Sequence, residues 1–286
     1  MTPMHAATRA PDLSGKVALI TGAARGLGTA AVRLLAARGA SVVICDVRSP
    51  EGEQLAAELL ASGYRARFLA LDVTSEDDWF SVERALTEEF GAIHVLVNNA
   101  GMILRRGIME ATLADWHRVM DVNVTGAFLG TRQFAPLMRD SGGGSVVNVS
   151  STAGLIAHND VAYAASKWAI RGLTKSSALD LVRWNIRVNS VHPATIATPL
   201  TDAAPAGHLE ANRSAIPMGR EATADEVAEA IVFLASDGSS FMTGSEIVVD
   251  GGLTTAGVAW MRARLQRLSQ DAGAAGTSEQ NAHGHG

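Results

Sequence analysis

A doubly wound parallel α/β sheet in a single domain is the architecture this sequence predicts, and three observations predict it. Short apolar runs alternate with helical stretches from residue 17 to about residue 250, the pattern of parallel strands joined by crossover helices. The first run, Val17 to Ile20, closes on a glycine-rich turn, Thr21 to Gly28, that opens directly into an alanine-rich helix ending near Arg38. A carboxylate, Asp46, ends the second run, Ser41 to Cys45, about twenty residues beyond the glycines.

Composition narrows the function classes. With 286 residues, 47% hydrophobic and 19% charged, the chain has ample material for a buried core. A net charge of −5, made of interspersed charges of both signs, argues against a nucleic-acid surface and gives no reason to expect anionic-membrane binding. Small neutral or moderately polar ligands suit it better. Cys45 is the single cysteine, so no intrachain disulfide forms, and its bland role is a core strand residue. The first eleven residues hold no apolar run like a signal peptide, and no run of eighteen apolar residues occurs, so the expected location is cytoplasmic.

The glycine turn has a chemical reading. Gly22, Gly26 and Gly28 let the backbone turn tightly and approach a pyrophosphate, whose charge the N–H groups of Arg25 to Gly28 at the helix start can meet, Leu27 among them. A structural turn gives the same letters. Asp46 tips the balance, because a carboxylate there accepts hydrogen bonds from the adenosine ribose hydroxyls and repels a 2′-phosphate, which favours NAD over NADP. Arg25 and Arg48 pull the other way, as guanidinium groups that could pair with that phosphate or simply be solvated.

A helix over 50–62 and a strand over 67–71 come next, ending at Asp72-Val73. Asp72 either faces the adenine side of the crevice or caps the helix that starts near Ser75-Glu76 and runs to about residue 89. The strand from Ile93 to Val97 leads into Asn98-Asn99-Ala100-Gly101, small residues that mark close approach to a ligand or a plain turn. A long helical stretch, 112–139, carries Asn123 inside an apolar stripe; its amide could satisfy neighbouring backbone or hold a water near Lys167. After Gly142-Gly143-Gly144 the strand Ser145 to Val149 runs into Ser150, Ser151, Thr152, Ala153 and Gly154.

Tyr163 and Lys167, four residues apart, share one face of a helix. A phenol titrates near ~10, so it serves as a base only where its anion is stabilised, and an ammonium beside it can do that. Pairs at this spacing also occur on solvated helices. Their place in the chain decides between the two readings. In this order and with these gaps, the glycine loop, Asn98 to Gly101, Asn123, the serine after the fifth strand, Tyr163 and Lys167 resemble the classical short-chain dehydrogenases/reductases over roughly residues 13–256. Within that family the sequence is most similar to the bacterial 3-alpha/20-beta hydroxysteroid dehydrogenases. That similarity is carried by Thr21 to Gly28, Leu71 to Thr74, Gly142 to Gly154, Ser166-Lys167-Trp168, Arg187 to Pro193 and Val249 to Gly252.

The resemblance implies a Rossmann-type fold, NAD as cofactor, and a set of roles. Ser151, chosen over Ser150 by the family's serine, two residues, glycine pattern, would hydrogen-bond the substrate oxygen. Tyr163 would exchange the proton, Lys167 would lower its pKa and bind the nicotinamide ribose, and Asn123 would hold a relay water. Asp72, Val73, Asn99, Ala100 and Gly101 would line the cofactor; the Ile196 backbone would meet its carboxamide and Thr198 its pyrophosphate. One departure stands out: Pro193 is followed by Ala194, not the usual glycine, removing a freely left-handed residue. A substrate lid is expected at about 199–216, and tetramer contacts along the last strand and the helices near 112–139 and 163–183.

No cluster of His, Cys and carboxylates has metal-ligand spacing, and His283 and His285 sit in a tail expected to be flexible from about Asp271, as is the extension 1–12. The helix expected at 223–236 has Thr223 as its cap, and residues 257–270 form an apolar-basic helical extension. The expected function is NAD-dependent interconversion of a bulky, apolar or cyclic secondary alcohol and its ketone. An NADP-dependent 3-oxoacyl-acyl-carrier-protein reductase is the enzymatic rival, and a catalytically silent nucleotide sensor is the rival from another class.

Overall fold

The computed structural model describes residues 12–198 and 207–282. All but Asp12 of the N-terminal extension, the first half of the lid, and His283 and His285 lie outside the described residues. Strands β1 (Val17–Thr21), β2 (Ser41–Asp46), β3 (Ala66–Ala70), β4 (Val95–Asn98), β5 (Gly144–Val149), β6 (Ile186–Pro193) and β7 (Glu246–Val249) form one sheet in the order β3-β2-β1-β4-β5-β6-β7. Every pairing is parallel. The order reverses between β1 and β4, so a crevice opens beyond the carboxyl ends of those strands, where the glycine turn and Asn98 to Gly101 both lie.

The helices explain why the strands read as continuous apolar runs. Helices α1 (Gly26–Ala37) and α2 (Ser49–Ala61), with α8 (Ala224–Ala235), cover one face; α3 (Glu76–Phe90), α5 (Gly126–Asp140) and α6 (Val161–Leu181) cover the other. Alternate residues feed the two cores: Ala18, Ile20, Val42 and Ile44 go to the first, and Leu19, Val43, Leu96 and Val146 to the second. Thr223 caps α8 as expected, in a box with Glu226.

The stretch at 112–139 is α4 (Leu113–Met120), one wide turn of π-helix at Asp121–Thr125, and then α5. The wide turn holds Asn123 at its middle, a distortion that recurs at functional sites. Helix α5 lies close to its neighbours: a Cβ on Gly126 would stand 2.8 Å from a Val73 methyl, and one on Gly130 2.6 Å from the Trp79 ring.

One expectation about the carboxyl-terminal half changes. Among the described residues only Arg105 and Asn185 are non-glycine residues in the left-handed region, so Ala194 needs no glycine-like freedom. Its N–H donates to the Val249 carbonyl at 3.1 Å, continuing the β6–β7 pairing by one residue. Beyond α7 (His208–Ala215), the last helix, α9, runs Leu253–Ala282, through the stretch expected to be flexible. Alanines at 272, 274, 275 and 282 favour helix there against Gly273 and Gly276. No helix among the described residues is long and apolar enough to cross a membrane.

Candidate active site

The glycine loop is fastened from both sides. Gly22 and Gly26 have φ of 62° and 56°, which only glycine adopts without strain. A Cβ on Gly22 would lie 2.8 Å from the Ala100 Cα, and one on Gly28 2.3 Å from the Gly22 carbonyl oxygen. From the β4 side, the Asn99 amide donates to the Thr21 and Gly22 carbonyls at 2.8 and 3.0 Å, while the Thr21 hydroxyl accepts from the Asn99 and Ala100 N–H groups at 3.1 and 3.0 Å. From the β2 side, buried Asp46 accepts from the Ala24 N–H with one oxygen and the Arg48 N–H with the other, each at 3.0 Å.

Helix α1 starts after Arg25 with no side-chain cap, so its first N–H groups have no side-chain acceptor. Thr198 lies over this end; a Cβ on Gly26 would meet its methyl at 3.4 Å. The loop, a rigidly held carboxylate at the β2 end and this helix start together fit a dinucleotide. The capping reading of Asp72 is corrected by the structure. Exposed Asp72 accepts from the Thr74 N–H and hydroxyl at 2.9 and 2.8 Å, and the cap of α3 is Ser75, not Asp72. Val73 is buried in the core, with its carbonyl accepting from the Trp79 ring N–H at 3.0 Å.

Across the crevice, Asp160 sets where α6 begins. Its carboxylate, 1% exposed, accepts from the Tyr163 N–H at 3.0 Å with one oxygen, and from the Leu104 and Arg105 N–H groups at 2.8 and 2.6 Å with the other. Arg105 is held at φ 60° in the process. One turn on, the Ser166 hydroxyl donates to the Tyr163 carbonyl at 2.7 Å and accepts from the Asn123 amide at 2.9 Å. That amide also donates to the Met102 carbonyl at 3.0 Å, and its oxygen accepts from the Met102 N–H at 2.8 Å. The Asn123 side chain thus satisfies backbone, the plainer of its two readings.

The two serines separate cleanly. Ser150 is buried and donates to the Lys167 carbonyl at 3.0 Å. Ser151 hydrogen-bonds the Tyr163 hydroxyl and accepts from the Ala153 N–H at 3.1 Å. Burial pushes the Tyr163 hydroxyl above the usual phenol range; the Ser151 hydrogen bond opposes this, Asp160 adds to it, and Arg105 pulls it back. The Lys167 ammonium lies over the Tyr163 ring, 5.5 Å from its centre, and donates to the Val149 carbonyl at 2.9 Å; burial lowers it to about 8. Gly101 lies beside it, since a Cβ there would stand 3.5 Å from the Lys167 nitrogen.

A family model described as enoyl-(acyl carrier protein) reductase matches residues 22–254. The chain is 47% identical over 246 residues to the trans-4-hydroxycyclohexanecarboxylate dehydrogenase of Sinomonas cyclohexanicum, across 84% of this chain and 93% of that one. It is 46% identical over 250 residues to the 3-alpha-(or 20-beta)-hydroxysteroid dehydrogenase of Mycobacterium tuberculosis, across 86% and 92%. The chain belongs to the short-chain dehydrogenase/reductase family. A solved gluconate 5-dehydrogenase from Burkholderia cenocepacia, in complex with NADP and tartrate, superposes with a TM-score of 0.82 at 35% identity, over 86% of this chain and 97% of that chain.

As a short-chain dehydrogenase/reductase the chain is an oxidoreductase with a nicotinamide cofactor. No group of three or more metal-ligating side chains occurs among the described residues. Sequence reasoning passed over Asp160, although an Asp directly before a helix and three residues ahead of Tyr163 is a cap signal. It also gave no role to Thr21, Ser166 and His192, each of which has a partner distant in sequence: Asn99, Asn123 and Ser151 in turn.

Asp160 gives a direct test. Asp160→Ala orphans the N–H groups of Leu104, Arg105 and Tyr163, and should lower unfolding stability by on the order of 3 kcal/mol. Asp160→Asn, which keeps one accepting oxygen, should fall between Asp160→Ala and the parent. Urea unfolding midpoints measure it; equal midpoints for all three would refute the role.

Proposed function

We propose that this short-chain dehydrogenase/reductase interconverts a cyclic secondary alcohol and its ketone, with NAD as its cofactor. The observation that carries the proposal is the pairing of the Ser151 and Tyr163 side chains, in which the Ser151 hydroxyl favours ionisation of the phenol. When bound, NAD supplies the hydride acceptor for oxidation, and its reduced form the donor for reduction. Ser151 holds the substrate oxygen, and Tyr163 takes the proton from the alcohol or returns it to the carbonyl. Lys167 and the Gly101 segment flank the nicotinamide ribose, Ile196 offers its backbone to the carboxamide, and Thr198 and the N–H groups of the glycine loop take the pyrophosphate. The Asn123 side chain being committed, its main chain is the part that can hold a relay water.

The substrate class rests on two supports. Relatives at 47% and 46% identity bear the names of a hydroxycyclohexanecarboxylate and a hydroxysteroid dehydrogenase. Two apolar segments join the elements that hold this pair: Met102 to Leu104, tied to Asp160 through the Leu104 N–H, and Leu155-Ile156, which follow the Ser151 turn. NAD is favoured by Asp46, which two backbone amides fix in place. Arg48, the guanidinium nearest in sequence to a 2′-phosphate, leans to Glu51 at 3.4 Å. A homotetramer is supported by apolar side chains left exposed on the elements expected to build it, including Phe128, Trp168, Leu179 and Val248.

Tyr163→Phe should lower kcat for oxidation of cyclohexanol by on the order of a thousandfold while NAD binding stays within severalfold. With burial holding the phenol protonated at neutral pH, parent oxidation should climb with pH and ketone reduction should decline. Retained turnover in Tyr163→Phe would overturn the assignment of the proton carrier, and two rising profiles would do the same.

The cofactor has its own check. The parent should prefer NAD over NADP by on the order of a hundredfold in kcat/KM, the scale of a like-charge clash. Asp46→Ala should narrow that ratio. A parent that prefers NADP would favour the oxoacyl-reductase reading instead.

A further inference from the structure

The turn that carries Ser151 is held from behind by side chains with no part in the chemistry proposed above. Three bonds fix it. Ser150 is tied to the Lys167 carbonyl, and the Gly154 carbonyl accepts from Arg171 at 3.0 Å. Arg171 is itself gripped by Glu246 of β7, with bonds of 2.9 and 3.1 Å. The third comes from His192 of β6, fully buried, whose Nδ1 lies 3.3 Å from the Ser151 carbonyl oxygen and whose Nε2 lies 2.8 Å from the Ser190 hydroxyl.

The chemistry of the partners assigns the tautomer. A carbonyl only accepts, so Nδ1 carries the hydrogen, and in the neutral ring Nε2 then accepts from the Ser190 hydroxyl. Burial favours that neutral ring by pushing His192 below the usual histidine range; Lys167 and Arg171 act in the same direction, and Glu246 and the bond to Ser151 against it. Of the three fasteners, only this one acts on the residue whose hydroxyl meets Tyr163.

We propose that His192 is a positioning residue, whose Nδ1–H holds the Ser151 main chain so that the Ser151 hydroxyl stays against the Tyr163 phenol. The proposal rests on the reading of Ser151 and Tyr163 as the reacting pair, and the sequence makes a test available that needs no substrate. The chain has two tyrosines, Tyr64 and Tyr163. In a Tyr64→Phe background, near-ultraviolet absorbance therefore follows Tyr163 ionisation alone, and Ser151→Ala should raise its midpoint because the Ser151 bond lowers it.

His192→Gln places its amide near Nε2 and abandons the Ser151 carbonyl; His192→Asn places its amide nitrogen near Nδ1 and keeps that bond. The Tyr163 midpoint should rise in His192→Gln toward the Ser151→Ala value and stay near the parent in His192→Asn. Ser190→Ala, a milder change that frees the ring to adopt the other tautomer, should move it upward by less. In cyclohexanol oxidation, His192→Gln should lose about 10–100-fold in kcat with the NAD dissociation constant within about twofold, as slight misplacement of a reacting group does. His192→Asn should recover most of that loss.

Equal midpoints in His192→Gln and His192→Asn, shifted or not, would overturn the positioning role, since a residue that merely fills space does not distinguish them. An unshifted Ser190→Ala midpoint would count against the tautomer on which the role depends. A parent that oxidises no alcohol yet shows the midpoint pattern would sink the proposed function and leave the role of His192 standing.

Discussion

Where helix α6 begins determines the site, and one buried carboxylate fixes that point. Asp160 accepts three backbone N–H bonds, one from Tyr163 and two from the 104–105 segment, so helix α6 and the loop facing it share a single anchor. A carboxylate so enclosed is stable only because those bonds replace its water. The consequence extends along the helix. Ser166, Lys167 and Arg171 take their positions from the same start, and through them α6 reaches Asn123, the β5 end and β7.

The opposite wall of the crevice is built in the same manner. Asn99 and Asp46, from the strands either side of β1, spend their side chains on the glycine loop, so the loop is shaped before any ligand arrives. Such preorganisation lowers the ordering cost of binding. Asp46 then has a double role in the proposed enzyme: it fastens the loop and presents negative charge where the adenosine ribose would lie.

The sheet was legible because parallel strands buried on both faces must be apolar throughout, and the glycines because the turn cannot be made without them. The family's spacing of serine to Gly154 singles out Ser151 over Ser150, and in the structure the Ser150 hydroxyl donates to the Lys167 carbonyl. Directions of side chains were not legible. Helical periodicity places Lys167 on the face of Tyr163, yet it says nothing of the Val149 carbonyl eighteen residues away that takes its ammonium. For Asn123 the deciding partner is Met102, across a loop, and the π turn that holds it leaves no mark on an apolar stripe. The concern over Ala194 arose from a family habit of glycine that this backbone does not need.

In the proposed function, Ser151, Tyr163 and the crevice beside them serve proton exchange coupled to direct hydride transfer. The measurement that bears on this most directly is the fate of deuterium from cyclohexanol labelled at its carbinol carbon, incubated with the protein and NAD and followed by mass spectrometry. Direct transfer puts the label on the reduced nicotinamide. Reduced cofactor without label, or label lost to solvent, would contradict it.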